Sequence, residues 1–209
     1  MNTILRQLYV VGIHTDVGKT HLSAAFCKAF SYTYFKLIQA GSPTDAHRVK
    51  ELSPHTQILP SALTLNTAAS PHIGRKYENL TYNGLHLSIP QCDKLLIELA
   101  GGLFTPLDDK ITFFDFILAN PRPTLIVGRY YLGCINHILL TLRAMQNIPV
   151  LAIVMLKDNQ DVHRDDIDEF VRSYAKIPLV HIESYTTQTL DSAANALSYE
   201  LTPYIQKLL

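Results

Sequence analysis

Charge of neither sign is in excess in this chain. Its 18 lysines and arginines balance 18 aspartates and glutamates over 209 residues, and charged residues make up only 17%. A surface for nucleic acid or an anionic membrane needs a basic footprint, and none is written here. Cysteine is scarce as well. Cys27, Cys92 and Cys134 are odd in number and far apart, which argues against a disulfide framework or a metal-binding spacing and suits a reducing compartment. No uninterrupted apolar stretch approaches the roughly 20 residues of a membrane-spanning helix. Met1 to Arg6 lack the charged start and long apolar core of a secretion signal. Internal repeats and low-complexity tracts are missing too. The expectation is a soluble, cytoplasmic chain, 47% hydrophobic, that buries one substantial core as a single domain over residues 1–209.

The most informative segment is Val10-Val11-Gly12-Ile13-His14-Thr15-Asp16-Val17-Gly18-Lys19-Thr20. An apolar run leads into two glycines, a lysine and a threonine, and a helical pattern from His21 to Phe30 follows. This is how a phosphate-binding loop is written. A strand ends, backbone N–H groups turn toward an anion, and a helix N-terminus adds its positive end. Lys19 would neutralise the β- and γ-phosphates, and the Thr20 hydroxyl would sit on Mg²⁺. The common pattern is one residue shorter between its glycines, so an ordinary strand–loop–helix turn is the competing reading.

Short apolar runs alternate with helical patterns along the rest of the chain. Strands are expected at Leu8 to Ile13, Thr33 to Gln39, Lys94 to Leu99, Thr124 to Gly128, Val150 to Leu156 and Leu179 to Ile182. Helices are expected at Lys19 to Phe30, Asp45 to Leu52, Ile135 to Gln146, Asp165 to Ala175 and Thr189 to Lys207. Continuous apolar strands in such alternation imply an α/β fold of the P-loop NTPase kind, a mostly parallel sheet with helices on both faces. Its ligands lie beyond the strand C-termini. Pro60 to Ser88, rich in Ser, Thr, Asn and Pro, is expected to be a long irregular loop region over that active face.

Three polar clusters follow expected strand ends. Lys36 lies inside an apolar run, where an ammonium is costly unless it snorkels from an edge strand or meets a partner. Asp45 is either the N-cap of the next helix or a hard ligand for Mg²⁺. Glu98 directly follows Leu95-Leu96-Ile97, so it needs either a buried lysine or a bound cation. Gly133 to Asn136 begin an apolar helix, which is either a plain capped start or a site for an anion such as a carboxylate. Cys134 reads as a small packing residue, and His137 fits a core, an interface or a catalytic place equally well.

Together these segments resemble the dethiobiotin synthetase family. Gly12 to Thr20 is similar to its Gly-Thr-Asp-Thr-X-Val-Gly-Lys-Thr, including the longer glycine spacing. Lys36 to Gly41 resembles Lys-Pro-X-X-X-Gly, Ser70-Pro71-His72-Ile73 matches a Ser-Pro-His segment, and Glu98 to Leu107 resembles Glu-Gly-Ala-Gly-Gly-X-X-X-Pro-Leu. Leu132 to His137 reads Leu-Gly-Cys-Ile-Asn-His, as in some members.

The resemblance implies ATP-dependent closure of a cyclic urea from 7,8-diaminononanoate and CO₂, with Lys19 and Lys36 as the catalytic lysines. It implies nucleotide contacts from Gly12, His14, Thr15, Asp16, Val17, Gly18, Lys19, Thr20, Glu98 and Lys157. Substrate contacts would come from Thr15, Lys36, Gly41, Ser42, Gly133, Cys134, Ile135 and Asn136, the last four from the neighbouring subunit of a homodimer. Mg²⁺ would be held by Thr20, Asp45 and Glu98.

The chain also departs from the family. Ile13 and His14 replace Thr and Asp in the phosphate loop, Leu37 replaces a proline, and Leu99 replaces the first glycine after Glu98. The Asn-Asp pair expected after the fifth strand has become Lys157-Asp158-Asn159, and a later Gly-X-hydrophobic-Pro segment has become Val180 to Glu183. Weaker discrimination between ATP and other triphosphates is therefore expected. A partitioning or nucleotide-switch ATPase of similar architecture, and a non-catalytic relative of the synthetase, are the competing functions.

Overall fold

The computed structural model describes residues 6–158 and 163–206. Seven strands form one parallel sheet: β1 (Gln7–Gly12), β2 (Thr33–Lys36), β4 (Ile58–Leu59), β6 (Leu95–Gly102), β7 (Thr124–Arg129), β8 (Val150–Lys157) and β9 (Leu179–Glu183). Their order across the sheet is β4-β2-β6-β1-β7-β8-β9. A separate parallel pair joins β3 (Ile38–Ala40) to β5 (Leu63–Leu65). The central strands read as unbroken apolar runs because both faces are covered; β1 is buried at all 6 of its residues.

Chain direction decides which face each helix covers. From β1 the chain steps toward β2 through α1 (Lys19–Phe30), and from β2 it steps outward to β4 through α2 (Asp45–Leu52). The other half steps the opposite way, through α4 (Phe113–Ala119), α5 (Cys134–Ala144) and α6 (Arg164–Ala175). Right-handed crossovers therefore place α1 and α2 on one face and α4, α5 and α6 on the other. The last helix, α7 (Leu190–Ile205), returns to pack against α1. The strand order reverses beside β1, so the loop after β1 opens at the crevice where such sheets bind ligands.

Most expected elements are present, with α1 and α2 at the expected bounds. The expected strand Thr33 to Gln39 is broken at Leu37, whose N–H donates to the Glu98 carbonyl while its own carbonyl accepts from Leu63 N–H. The region 60–88 is not a plain loop. It contains β5, a helix α3 (Pro71–Tyr77) and a 3-10 turn at Gly84–His86. Ser70 precedes a proline at the first helical position, where its fixed φ and missing N–H cost nothing. The unexpected α4 starts on a reciprocal capping box between Thr112 and Asp115. The expected helix Ile135 to Gln146 runs from Cys134 to Ala144, and the last one ends at Ile205, with Lys207 outside the described residues. No described helix is long and apolar enough to cross a membrane.

One buried polar cluster ties the far half together. Asp168 on α6 accepts from the Tyr130 hydroxyl at 2.7 Å and pairs with His181 Nε2 of β9 at 2.6 Å. Burial opposes the Asp168 charge, but the hydrogen bonds from His181 and Tyr130 outweigh it and hold the carboxyl below its ordinary value. Asp168→Ala is expected to cost about 2–3 kcal/mol in urea unfolding at neutral pH, because the buried Tyr130 hydroxyl and the half-buried His181 ring both lose the carboxylate they share. The difference from the parent chain should persist above the unfolded carboxyl's value near 3.8 and fade as pH falls below it.

Candidate functional site

The loop between β1 and α1 owes its shape to two glycines. A Cβ on Gly12 would stand 2.7 Å from the His14 carbonyl oxygen and 3.0 Å from Lys19 Nζ. Gly18 sits at φ +89°, and a Cβ there would meet a Leu156 methyl at 2.5 Å. Thr15, Asp16, Gly18, Lys19 and Thr20 line a cavity of about 680 Å³ at the C-terminal edge of the sheet. Lys19 is almost wholly buried. Burial first, and the nearby Lys36 ammonium second, lower its pKa to about 8 against the pull of Glu98, Asp45 and Asp16. An ammonium so poorly compensated is suited to an incoming anion.

Beside this loop a lysine and two carboxylates are brought together from three elements. Lys36, at the end of β2, lies 2.5 Å from Asp45 Oδ2 and 2.9 Å from Glu98 Oε1. β2 and β6 set the Lys36–Glu98 register, because the two residues are direct cross-strand partners. Thr44 takes the N-cap of α2, accepting from His47 N–H, which leaves the Asp45 side chain free to face the lysine. Gln39 fixes Asp45 from behind, its amide oxygen accepting from Asp45 N–H at 2.9 Å. Burial alone would lower the Lys36 pKa, but Glu98 and then Asp45 outweigh it and hold it above the ordinary lysine value. Burial likewise pushes Asp45 up and Lys36 overrules it, so its carboxyl stays below the usual range.

Glu98 is fully buried and satisfied on both oxygens. Ser23 and Tyr34 hydroxyls donate to Oε2 at 2.7 and 3.2 Å, and Thr20 Oγ1 lies 2.9 Å from Oε1 and 3.0 Å from Asp45 Oδ1. Three hard oxygens, from Thr20, Asp45 and Glu98, thus converge at the mouth of the phosphate loop, a donor set that fits a magnesium ion.

Residues 6–185 match a family model described as an AAA domain. The chain is 49% identical over 186 residues to an ATP-dependent dethiobiotin synthetase of Campylobacter jejuni, covering 88% of this chain and 90% of that one. It is 36% identical to the enzyme of the same name from Rhodopseudomonas palustris, covering 90% and 91% of the two chains. The chain belongs to the dethiobiotin synthetase family. Solved structures similar in fold include a plasmid partition protein of Borrelia burgdorferi bound to AMPPNP, at TM-score 0.54, 8% identity and 98% coverage of both chains. Another is HypB of Helicobacter pylori with nickel, at TM-score 0.51 and 14% identity, covering 96% of this chain and 89% of that one.

Not every residue that the dethiobiotin synthetase motifs single out reaches this cavity. Val17 is buried under the loop. The His14 ring stacks on His137 of α5 at 5.7 Å, and only its carbonyl faces Lys19 Nζ, at 3.4 Å. Gly41 and Ser42 stand at the rim between Ala40 and Pro43, which do line the cavity. Gly41 has φ +77° and no room for a Cβ against Ala68. Gly133 to Asn136 lie outside the cavity wall. Gly133, at φ +98°, precedes α5; Cys134 is buried, Ile135 half-buried and Asn136 exposed. Lys157, 4.0 Å from Glu183, lines a separate recess of about 290 Å³ with Ser184 and Tyr185. Asn159 falls outside the described residues.

The dethiobiotin synthetase motifs also leave out residues that the fold brings in. Ser23 is one turn after Thr20 on α1, a spacing that signals a shared face. Gln39, His21 and Arg48 reach the cavity through tertiary packing, and nothing local in the sequence marks them.

Proposed function

We propose that this chain joins CO₂ to 7,8-diaminononanoate at the expense of ATP, giving dethiobiotin, ADP and phosphate. The observation that carries the reading is the Lys36–Asp45–Glu98–Thr20 cluster beside a phosphate loop, in a chain 49% identical to a named ATP-dependent dethiobiotin synthetase. One amine of the substrate takes up CO₂ as a carbamate. A carbamate oxygen attacks the γ-phosphate and ADP leaves. The second amine then attacks the carbonyl carbon of the mixed anhydride, expels phosphate and closes the ring. Little covalent work falls to the protein, so positioning and charge neutralisation supply the catalysis.

Lys19 holds the terminal phosphates in this reading. Lys36 faces the carbamate and the transferring phosphoryl oxygens, where negative charge accumulates. Thr20, Asp45 and Glu98 would hold Mg²⁺, which when bound would offset negative charge on the phosphates. Thr15 and Ser42 offer polar contacts at the diamine end, and Lys157 stands on the side of the sheet where a nucleobase would lie.

The start of α5 receives the substrate's carboxylate from a second subunit of a homodimer. Two observations support that assignment. Gly133 to Asn136 do not reach their own chain's cavity, and Leu132, Leu140 and Phe104 form exposed apolar surface around that helix, at 104%, 59% and 58%. Dimerisation would cover it. A cytoplasmic location fits the small polar substrates.

The test is phosphate release with Mg²⁺ and bicarbonate, using ATP, GTP and CTP in turn, with and without the diamine. Release that depends on the diamine, together with the mass of dethiobiotin, is the expected result. Release without diamine dependence would instead favour a nucleotide switch. Rates with GTP or CTP close to those with ATP are expected from the altered base-reading segments, and a preference for ATP above about a hundredfold, roughly 2.7 kcal/mol, would refute that part.

A further inference from the structure

His21 is the one residue of the first turn of α1 whose side chain reaches both the nucleotide cavity and the β9–α7 loop. Its ring packs on the ring of Tyr185 at a centroid distance of 4.0 Å, and the Tyr185 hydroxyl donates back to the His21 carbonyl. Its Nε2 accepts the backbone N–H of Tyr185 at 3.3 Å. An acceptor nitrogen carries no proton, so in this arrangement the hydrogen sits on Nδ1. Among the described residues Nδ1 has no hydrogen-bond partner, and no buried side-chain nitrogen or oxygen lacks one. Nδ1 is therefore accessible rather than buried, on a residue that lines the cavity with Lys19 and Thr20.

Its place along the triphosphate follows from the sheet order. The transfer end, at Lys36, Asp45 and Glu98, belongs to β2, α2 and β6, on one side of β1. Tyr185 follows β9, at the opposite edge, and the neighbouring Ser184 N–H is tied to the Lys157 carbonyl at the end of β8. A nucleotide with its γ-phosphate at Lys36 and its nucleoside toward β8 and β9 must pass His21 beyond its β-phosphate.

We propose that His21 is a specificity-determining residue whose Nδ1–H donates to an acceptor oxygen on the nucleoside side of the β-phosphate, on the α-phosphate or the ribose. Tyr185 is its positioning residue: it fixes the ring plane and the tautomer. The inference rests on the nucleotide reading of the cavity. It adds a side-chain contact to the backbone and lysine contacts of the loop.

Two substitutions separate binding from scaffolding. His21→Gln can still accept from Tyr185 N–H but loses the donor at the Nδ1 position. His21→Asn places an amide N–H near that position and gives up the reach to Tyr185. Binding of ATP, inorganic tripolyphosphate and pyrophosphate, each with Mg²⁺, would be measured by calorimetry on the full chain and both variants. His21→Gln is expected to weaken ATP about tenfold and leave pyrophosphate within twofold, while His21→Asn loses distinctly less. A parallel loss for tripolyphosphate places the acceptor on the α-phosphate, and a loss confined to ATP places it on the ribose; either supports the proposal. Equal losses for all three ligands, no loss of ATP affinity, or a larger loss in His21→Asn than in His21→Gln would overturn it. A parent chain that binds none of the three would overturn the nucleotide reading, and this inference with it.

Discussion

Lys36→Met is expected to lower kcat for diamine-dependent phosphate release by about 10³-fold, the scale of losing one preorganised charge at a transferring phosphoryl group. The ammonium is fixed before substrate arrives. It is 2% exposed, held by Asp45 and Glu98, and donates to the Leu99 carbonyl at 3.3 Å. A donor pinned by three acceptors costs no reorganisation when charge develops, which is the condition for a large electrostatic contribution. Methionine keeps the length of the stem and removes the charge. Two carboxylates then face the γ-phosphate without their cation, so catalysis loses a donor and gains repulsion. The fold should survive with reduced stability, because Glu98 loses its buried cation but keeps hydroxyl donors from Thr20, Ser23 and Tyr34. Circular dichroism and urea unfolding check that point, and initial phosphate release checks the rate. A kcat within tenfold of the parent would remove Lys36 from the proposed mechanism.

The same cluster illustrates what was legible in the sequence. Lys36 and Glu98 each stood out as a charge too costly to bury alone, and the structure resolves both by pairing them across β2 and β6. The sequence leaves a salt bridge and a metal ligand as alternatives for Glu98, yet one carboxylate oxygen meets Lys36 while Thr20 brings the loop hydroxyl to the same atom. α1 and α2 were legible because glycine, threonine and acidic punctuation marks their starts. The break at Leu37 was not, since it depends on an N–H taken by the Glu98 carbonyl far along the chain. A proline at that position has no N–H to give, so the departure from the family pattern carries a hydrogen bond. α4 was hidden because Phe113 to Ala119 is a short, nearly all-apolar run whose period is ambiguous. His21 and Gln39 were invisible for a third reason. Their partners, Tyr185 and Asp45, are supplied by the fold.

Glu98→Ala is expected to be the most damaging single change to stability, at about 3–5 kcal/mol, the scale for breaking a buried ion pair from one side. Its carboxylate is 0% exposed and serves four side chains. Removing it leaves the Lys36 ammonium buried with Asp45, whose side chain is 34% exposed and screened by solvent. Ser23 and Tyr34 hydroxyls lose their acceptor in a place water cannot easily reach, since both residues are fully buried. The methyl that replaces the carboxylate also leaves a void at the centre of the sheet. For a chain of this size the loss corresponds to a fall of about 10 °C in Tm. Glu98→Gln separates charge from shape. The amide keeps one oxygen for Ser23 or Tyr34 but turns donors toward Lys36 or Thr20, so it should fall between the parent and Glu98→Ala in urea unfolding. If Glu98→Ala unfolds within 1 kcal/mol of the parent, roughly the size of a solvent-exposed pair, then the pair does not hold the site together, and Lys36 reaches water or another carboxylate in solution. A large loss in Glu98→Ala with a small one in Glu98→Gln would assign the stability to hydrogen bonding. Comparable losses in both would assign it to the charge that Lys36 requires.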